Sequence, residues 1–297
     1  MRIGVHVVRF DFPGGSAAIA PTLAAVGQAA EDAGLDNLSV MDHYFQMDGM
    51  GLGDAPAPML EAYTTLGFLA AATTTVELQA LVTGVTYRHP GLLAKIVTTL
   101  DVLSGGRAML GIGAAWYERE HLGLGVPFPS TSERFERLAE TLQIIHQMWS
   151  DDDGPYEGTY YRLAETMCSP SPLARPHPPI MIGGSGERKT LRLVARYADA
   201  CNLFAGSGTS ATEVKAKLDV LAQHCADAGT DNGRIRKTIL WTGALDALTP
   251  IGATAFIEQM KAYADVGITE VRVMPMDDPV EFIRGLASNV IPALSSV

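Results

Sequence analysis

Short apolar runs and amphipathic segments alternate along the whole chain. Eight runs are rich in Val, Ile, Leu, Ala and Met, and each is followed by a segment with helical periodicity. Two of the helical segments end at a glycine, Gly34 and Gly267, which suits the left-handed position after the last turn of a helix. The predicted strands lie at about 2–8, 37–41, 76–82, 107–112, 179–183, 199–204, 237–242 and 270–274.

Eight consecutive β/α units favour one closed barrel over an open sheet. They predict an α/β protein with a parallel (β/α)8 TIM barrel, formed as a single domain over residues 1–297. The clearest helix is "STSERFERLAETLQIIHQMW", in which Ser130 and Glu133 are expected to form a capping box. We expect its apolar stripe to face the barrel. The stripe consists of Phe135, Leu138, Leu142, Ile145 and Trp149.

One stretch interrupts the regular alternation. Residues 150–178, "SDDDGPYEGTYYRLAETMCSPSPLARPHP", are too many and too rich in Pro, Asp and Gly for an ordinary connection. We interpret them as an insertion between the fourth helix and the fifth strand, and we expect this insertion to lie over the barrel mouth. Its DDDG run is typical of a solvated turn.

Composition restricts the class of partner. A net charge of −11 disfavours nucleic acids and acidic membranes. No apolar run approaches the roughly 18 to 20 residues needed to cross a bilayer, and the first residues resemble no signal peptide, so the cytoplasm is the expected location. The three cysteines lack CxxC spacing and are expected to be reduced. A small-molecule substrate is the expected partner, and a homodimer is left open.

Two chemistries that are common in barrel enzymes lack their motifs here. Metal-dependent hydrolases need clustered His and Asp ligands, often as HxH on the first strand, but "GVHVVRF" offers only His6. The chain also has no G-x-S-x-G nucleophile elbow. We therefore expect neither a metal site nor a catalytic serine.

Chemically useful side chains follow the predicted strands, where barrel enzymes place their active sites. Asp42 and His43 follow the second strand, and Trp116 and Tyr117 follow the fourth. A lone histidine there is often structural, although histidine also exchanges protons near neutral pH. The aromatic pair could pack against the loop or line a substrate pocket. Arg88, in "RHP", is expected to be a solvated charge at the rim more than a cofactor contact.

A glycine-rich loop, "IGGSGER", follows the fifth strand. Glycine suits the turn from a strand into a helix because it tolerates unusual backbone angles. Backbone N–H groups at a helix start can also hold an anionic group such as a phosphate. The residues alone leave both interpretations open.

Several longer strings together resemble the bacterial luciferase-like family. They include "LVTGVTYRHPGLLAK", "TLDVLSGGRAMLGIGAAWYERE" and "PPIMIGGSGERKTLRLVARYADACN". The resemblance is strong over about residues 1–205 and weaker beyond them. Within the family, the chain looks like the branch of coenzyme F420-dependent oxidoreductases.

The resemblance implies a flavin or deazaflavin ring across the barrel mouth. In such proteins the ring often lies against a non-proline cis peptide at the end of the third strand, and the loop after the fifth strand binds the cofactor's phosphate through backbone N–H groups. F420 is the implied cofactor, with FMN as the alternative. The implied cofactor contacts here are Leu81, Val82, Thr83, Gly113, Arg119, Gly183, Gly184, Ser185, Gly186 and Arg188.

The resemblance also assigns roles to the candidate side chains. His43 becomes a proton donor beside the ring, Asp42 orients His43 or contacts the cofactor, and Trp116 and Tyr117 line the substrate pocket. Sugar-phosphate dehydrogenases of the family carry an acid about where Trp116 stands, which argues against a sugar phosphate. The implied reaction is hydride transfer between F420 and an unidentified small organic substrate. The alternatives are an FMN-dependent monooxygenase supplied with reduced flavin by a partner reductase, and a catalytically silent flavin-binding protein.

Overall fold

The strands alternate with helices from the first residues onward. The computed structural model of the protein describes residues 1–295. Its strands are β1 (Arg2–Val7), β2 (Asn37–Val40), β3 (Glu77–Ala80), β4 (Thr83–Gly84), β5 (Ala108–Gly113), β6 (Tyr156–Glu157), β7 (Arg162–Leu163), β8 (Ile180–Gly183), β9 (Ala200–Ala205), β10 (Arg236–Trp241) and β11 (Glu270–Val273).

The main sheet closes on itself. Its order is β3-β2-β1-β11-β10-β9-β8-β5-β4, every pairing is parallel, and β3 also pairs with β5 through Leu78 opposite Ala108. The two-residue β4 continues along β5 beyond the end of β3. This closed barrel of eight strand positions confirms the predicted (β/α)8 fold.

The helices return the chain along the outside of the barrel. They are α1 (Ser16–Asp32), α2 (Ala62–Ala72), α3 (Pro90–Ser104), α4 (Glu118–Leu124), α5 (Thr131–Met148), α6 (Thr190–Tyr197), α7 (Ala211–Ala228), α8 (Pro250–Asp265), α9 (Pro279–Asn289) and α10 (Ile291–Leu294). Gly34 and Gly267, the glycines predicted to end helices, have the positive φ angles of 66° and 103° that this position requires.

Only half of the capping box predicted for α5 forms. The Ser130 side chain accepts a hydrogen bond from the N–H of Glu133 at 3.3 Å. The Glu133 carboxylate accepts instead from Arg137, one turn along the helix, at 2.9 and 2.7 Å. A hydrogen bond from the charged guanidinium of Arg137 is stronger than one from the neutral backbone N–H of Ser130, so the carboxylate binds Arg137. The predicted apolar stripe does face the barrel, with Leu138 and Leu142 fully buried.

The segment 150–178 packs on the outer wall of the barrel and does not cover the mouth. Its hairpin, β6 and β7, lies against α5, where Glu140 accepts hydrogen bonds from the backbone of Thr159, Tyr160 and Tyr161. Further along, the N–H groups of 173–174 bind Asp101 near the end of α3. The expected position over the mouth is therefore wrong, because carboxylates on the outer helices hold the segment's backbone N–H groups.

A charged layer fills the amino-terminal end of the barrel interior. Arg272 and Glu270 are both fully buried, with Nη2 and Oε1 2.9 Å apart. Arg236 pairs with Glu77 beside them at 3.0 Å. The apolar core lies mainly between the sheet and the helices. The carboxyl ends of the strands are thus left open for a site.

Gly111 allows β3 and β5 to approach closely, so Gly111→Ala is expected to destabilise the barrel. A Cβ at this position would lie 2.2 Å from the carbonyl oxygen of Ala80, which is backbone and cannot turn away. We expect a loss of about 1–3 kcal/mol or more in the free energy of unfolding, measured by denaturant titration. The matched control is Gly67→Ala in α2, where a Cβ meets nothing within 4 Å and a gain of about 0.5–1 kcal/mol is expected. Equal effects at both positions would contradict this assignment.

Candidate active site

A cleft of about 540 Å³ opens at the carboxyl ends of the strands, where barrel enzymes carry their active sites. The segments after β2, β3, β5 and β8 form its walls, so residues far apart in the sequence meet there. Most of the predicted site residues line this cleft. They are Asp42, His43, Leu81, Val82, Thr83, Gly113, Trp116, Gly183, Gly184, Ser185 and Gly186.

Three predicted site residues lie outside the cleft wall. Arg119 is more than half exposed on α4 and pairs with Asp48. Tyr117 is partly buried and meets the ring of His43 edge-on, with centroids 5.9 Å apart. Arg188 lies in the turn before α6. The structure therefore does not bring Arg119, Tyr117 or Arg188 to the cleft surface.

His43 is held by a carboxylate that the sequence analysis did not single out. Its Nδ1 lies 2.6 Å from Oε1 of Glu120, whose side chain is fully buried. Trp116 meets the imidazole edge-on at 5.7 Å. Two glutamates, Glu118 and Glu120, follow β5 in the sequence and are a signal for such a partner. The orientation of α4 decides between them, since Glu118 is exposed and Glu120 is buried.

Glu120 accepts three further hydrogen bonds. Its Oε2 accepts from the N–H groups of Tyr44 and Phe45 at 2.7 and 3.1 Å, and its Oε1 accepts from the Tyr87 hydroxyl. Burial raises the pKa of Glu120, but the hydrogen bonds from His43, Tyr87 and Tyr44 outweigh burial and hold the pKa below its ordinary value. Because an ionised carboxylate only accepts, Nδ1 of His43 carries the hydrogen. Its Nε2 is then left to exchange a proton.

Asp42 has a different partner. Its carboxylate binds Arg88 in a bidentate ion pair at 2.8 and 3.0 Å, and Oδ2 also accepts from the N–H of Gly84 at 3.1 Å. Burial raises the pKa of Asp42 above its ordinary value, and the guanidinium of Arg88 opposes this rise. Two roles were expected for Asp42. Glu120, not Asp42, orients His43, and contact between Asp42 and the cofactor stays a prediction. Arg88 is a buried partner of Asp42, so the expected solvated rim charge is wrong.

The end of β3 forms a shoulder in the cleft. The peptide bond between Leu81 and Val82 is cis, at the position that the family resemblance indicated. The Val82 side chain fills space beside two glycines, because a Cβ at Gly113 or Gly183 would lie 3.0 Å from its methyl groups. These glycines thus make room for the shoulder. Thr83 follows it and is fixed by a 2.7 Å hydrogen bond with Tyr63.

The glycine loop offers fewer free N–H groups than predicted. The N–H of Gly184 donates to the carbonyl of Asn202 at 3.0 Å and extends the pairing between β8 and β9, so it is not available to a phosphate. Within residues 1–295, no acceptor binds the N–H of Ser185 or Gly186. Both residues line the cleft just before α6 begins at Thr190. The loop therefore serves as a turn at Gly184 and can hold an anion at Ser185 and Gly186.

His6 forms part of the cleft floor but does not suit proton transfer. It is buried on β1, and its Nδ1 lies 3.0 Å from the Ser39 hydroxyl. Burial, helped by the nearby charge of Arg272, lowers the pKa of His6 to about 3. The ring is therefore neutral at physiological pH, and His43 is the histidine of this cleft that is placed for proton exchange.

The described part of the chain, residues 1–295, contains no group of three or more His, Cys, Asp or Glu side chains that could hold a metal ion. Over the same residues, no helix has the length and apolar character needed to cross a membrane.

The closed parallel sheet makes the protein a (β/α)8 barrel, and the His43–Glu120 pair lies in a cleft at the strand ends, where enzymes of this fold carry their active sites. Residues 1–247 match the model of the luciferase-like monooxygenase family, and the chain belongs to that family. An F420-dependent glucose-6-phosphate dehydrogenase of Microbacterium testaceum is 30% identical over 287 residues, which cover 93% of this chain and 79% of the relative.

Two further comparisons extend this picture. The FMNH(2)-dependent dimethylsulfone monooxygenase of Pseudomonas putida is 27% identical over 201 residues, which cover 68% of this chain and 49% of that protein. The solved structure of an F420-dependent secondary alcohol dehydrogenase in complex with an F420-acetone adduct has a TM-score of 0.80 at 18% identity, covering 99% of this chain and 98% of that one. The structural likeness confirms the fold, and the family makes this protein an oxidoreductase.

Proposed function

We propose that this protein transfers a hydride between bound F420 and a small organic substrate. The main support is the order in which the functional groups stand around the rim of the cleft. His43 stands after β2, held by Glu120 from α4, and the glycine loop stands after β8, with the ends of β3 and β5 between them. The Leu81–Val82 shoulder would hold a tricyclic ring, with His43 on one side and the N–H groups of Ser185 and Gly186 on the other.

The residues of the cleft suit this cofactor. The free N–H groups of Ser185 and Gly186 precede a helix and match a phosphate. The cleft lining is mainly apolar around Leu81, Val82 and Leu138, which suits the face of an aromatic ring. The relative of 30% identity named as F420-dependent supports the choice of F420.

F420 supplies the ring carbon that accepts or gives the hydride. Glu120, ionised and fully buried, holds Nδ1–H of His43 and fixes the ring orientation. The Nε2 of His43 then takes or returns the substrate's proton as the hydride moves. Asp42 holds the backbone at Gly84 and the guanidinium of Arg88 behind the Leu81–Val82 shoulder. The protein thus supplies position and a proton path.

Gly184→Val is expected to weaken F420 binding at least about tenfold, or about 1.4 kcal/mol. Gly184 lines the cleft and has a φ of 120°, so a branched side chain both enters the anion cradle and strains the loop. Gly229→Val controls for the strain, because Gly229 has a φ of 68° at the end of α7 and nothing within 4 Å of an added Cβ. The measurement is the dissociation constant of F420 for each variant, obtained by absorbance titration. If Gly184→Val binds F420 as tightly as Gly229→Val, the loop is only a turn.

Titration of the purified protein with F420 and with FMN tests the proposed function. We expect F420 to bind at least about tenfold more tightly than FMN, and the F420 complex to reduce or oxidise an organic substrate without consuming oxygen. Tighter binding of FMN with oxygen consumption would assign the protein to the monooxygenases that its Pseudomonas putida relative represents. Binding of neither cofactor would reject both assignments.

A further inference from the structure

A second cleft of about 670 Å³ adjoins the first one at the barrel mouth. Residues after β1, β10 and β11 form its walls, away from the glycine loop. The two clefts open into each other, because six residues line both of them: His6, Met41, Met47, Met50, Phe204 and Leu240. The size of the second cleft lies within the roughly 300–1,000 Å³ that small-molecule sites usually have. A molecule bound there would approach the first cleft from the side opposite to the glycine loop.

The second cleft is rich in methionine and open to solvent. Five of the chain's 12 methionines line it: Met41, Met47, Met50, Met274 and Met276. Several large apolar side chains stand exposed in its walls, with Met50 at 59%, Phe204 at 58% and Leu248 at 60% of their full exposure. Exposed apolar side chains grouped in one concave surface mark a binding site. Flexible methionines suit apolar ligands of varied shape.

Acidic side chains line this cleft. Among the residues that the structure describes, its lining contains no Lys or Arg but includes Asp246, Asp277, Asp278 and Glu281. Arg9 lies at the same rim, where its guanidinium is bound by Asp11 and donates to the carbonyl of Met276. An anionic ligand would lose water here without gaining a cation, which is costly. A neutral or cationic ligand meets no such penalty.

We propose that this second cleft is the substrate site and that its substrate is a large, mainly apolar molecule that carries no negative charge. The proposal rests on the proposed function for the identity of the reaction, and it names the substrate class. A phosphorylated sugar does not suit this cleft, because its lining contains no Lys or Arg among the residues that the structure describes, and so no permanent cation to receive a phosphate. The reacting end of the substrate lies where the two clefts meet, near His43 and Met41.

Three probes of equal chain length test the proposal by calorimetry on the full chain: decan-2-one, decanoate and decyltrimethylammonium, each below its micelle concentration. We expect decan-2-one and decyltrimethylammonium to bind at least about tenfold more tightly than decanoate, and glucose 6-phosphate not to bind. Decanoate or glucose 6-phosphate binding as tightly as decan-2-one would overturn the proposal, as would a failure of all the probes to bind. Titrating F420 into the same samples keeps the two proposals separate, since F420 binding without probe binding would reject only the substrate class.

A charge placed in the wall provides a second test. Met276 is partly exposed, so Met276→Lys is expected to fold and to reverse the preference, with decanoate binding several-fold more tightly and decyltrimethylammonium several-fold more weakly. The matched control is Leu103→Lys, an exposed position near the end of α3 and outside both clefts. Leu103→Lys should leave all three affinities unchanged. Equal affinities in the two variants would place the ligands elsewhere and overturn the proposal.

Discussion

His43→Ala is expected to lower the rate of hydride transfer by about 10²- to 10⁴-fold while leaving the dissociation constant of F420 nearly unchanged. The loss is that of a positioned proton donor or acceptor. The cofactor should remain bound, because its proposed phosphate and ring contacts lie at the glycine loop and at the Leu81–Val82 shoulder. The measurement is single-turnover reduction or oxidation of bound F420, with any substrate that the parent protein turns over, together with the F420 titration.

His89→Ala is the matched control for the loss of an imidazole. His89 is exposed at the start of α3, outside the cleft, where its Nδ1 accepts from the N–H of Gly91. This variant should lose only about 0.5–2 kcal/mol of stability, as expected for a weakened helix cap, and keep its turnover. A His43→Ala protein with normal turnover would refute the catalytic assignment. A loss of activity in proportion to unfolded protein would make His43 a structural residue.

Glu120→Gln is expected to slow hydride transfer by roughly 10- to 100-fold, the range known for removing the carboxylate that orients a metal-ligating histidine. The amide keeps the size of the side chain but not the charge that holds Nδ1–H of His43. A loss of about 1–3 kcal/mol in stability at neutral pH should accompany it, since the N–H groups of Tyr44 and Phe45 lose a charged acceptor. Kinetics and denaturant titration on the same variant measure both effects.

The difference in stability between Glu120→Gln and the parent protein should also depend on pH. The pKa of Glu120 is lowered in the folded protein, so its charge stabilises the fold above the ordinary value of 4.5, and this contribution is lost as the pH falls through the lowered pKa. The gap between Glu120→Gln and the parent should therefore narrow in acid. Glu118→Gln, an exposed change two residues away on α4, should match the parent throughout. Equal rates for Glu120→Gln and Glu118→Gln would show that Glu120 does not act through His43.

Much of the fold could be predicted from local pattern. The eight predicted strands all appear within one or two residues of their expected bounds, because alternation of buried strands and amphipathic helices is a property of neighbouring residues. The failures involve competition between alternative polar partners. Glu133 accepts hydrogen bonds from Arg137 instead of completing the capping box. The segment 150–178 lies on the outer helices because its backbone N–H groups donate to Glu140 and Asp101. The pattern of apolar and polar positions does not show which of several polar partners a carboxylate binds.

The candidate site was likewise predicted where it depends on position along the chain, and missed where it depends on packing. Strand ends converge in any parallel barrel, so residues placed after strands, such as His43, Trp116 and Ser185, meet in one cleft. The partner of His43 depends on which face of the short α4 is turned inward, and Glu120 gave no signal beyond being one of two acids there. Likewise, the sequence could not show that the N–H of Gly184 is used by Asn202. Such details follow from three-dimensional packing.

A crystal structure of the protein soaked with F420 would show whether the first cleft binds the cofactor. We expect the cofactor's phosphate at the N–H groups of Ser185 and Gly186, and its ring against the Leu81–Val82 peptide beside His43. Cofactor density in another place, or a phosphate that does not contact the glycine loop, would contradict it.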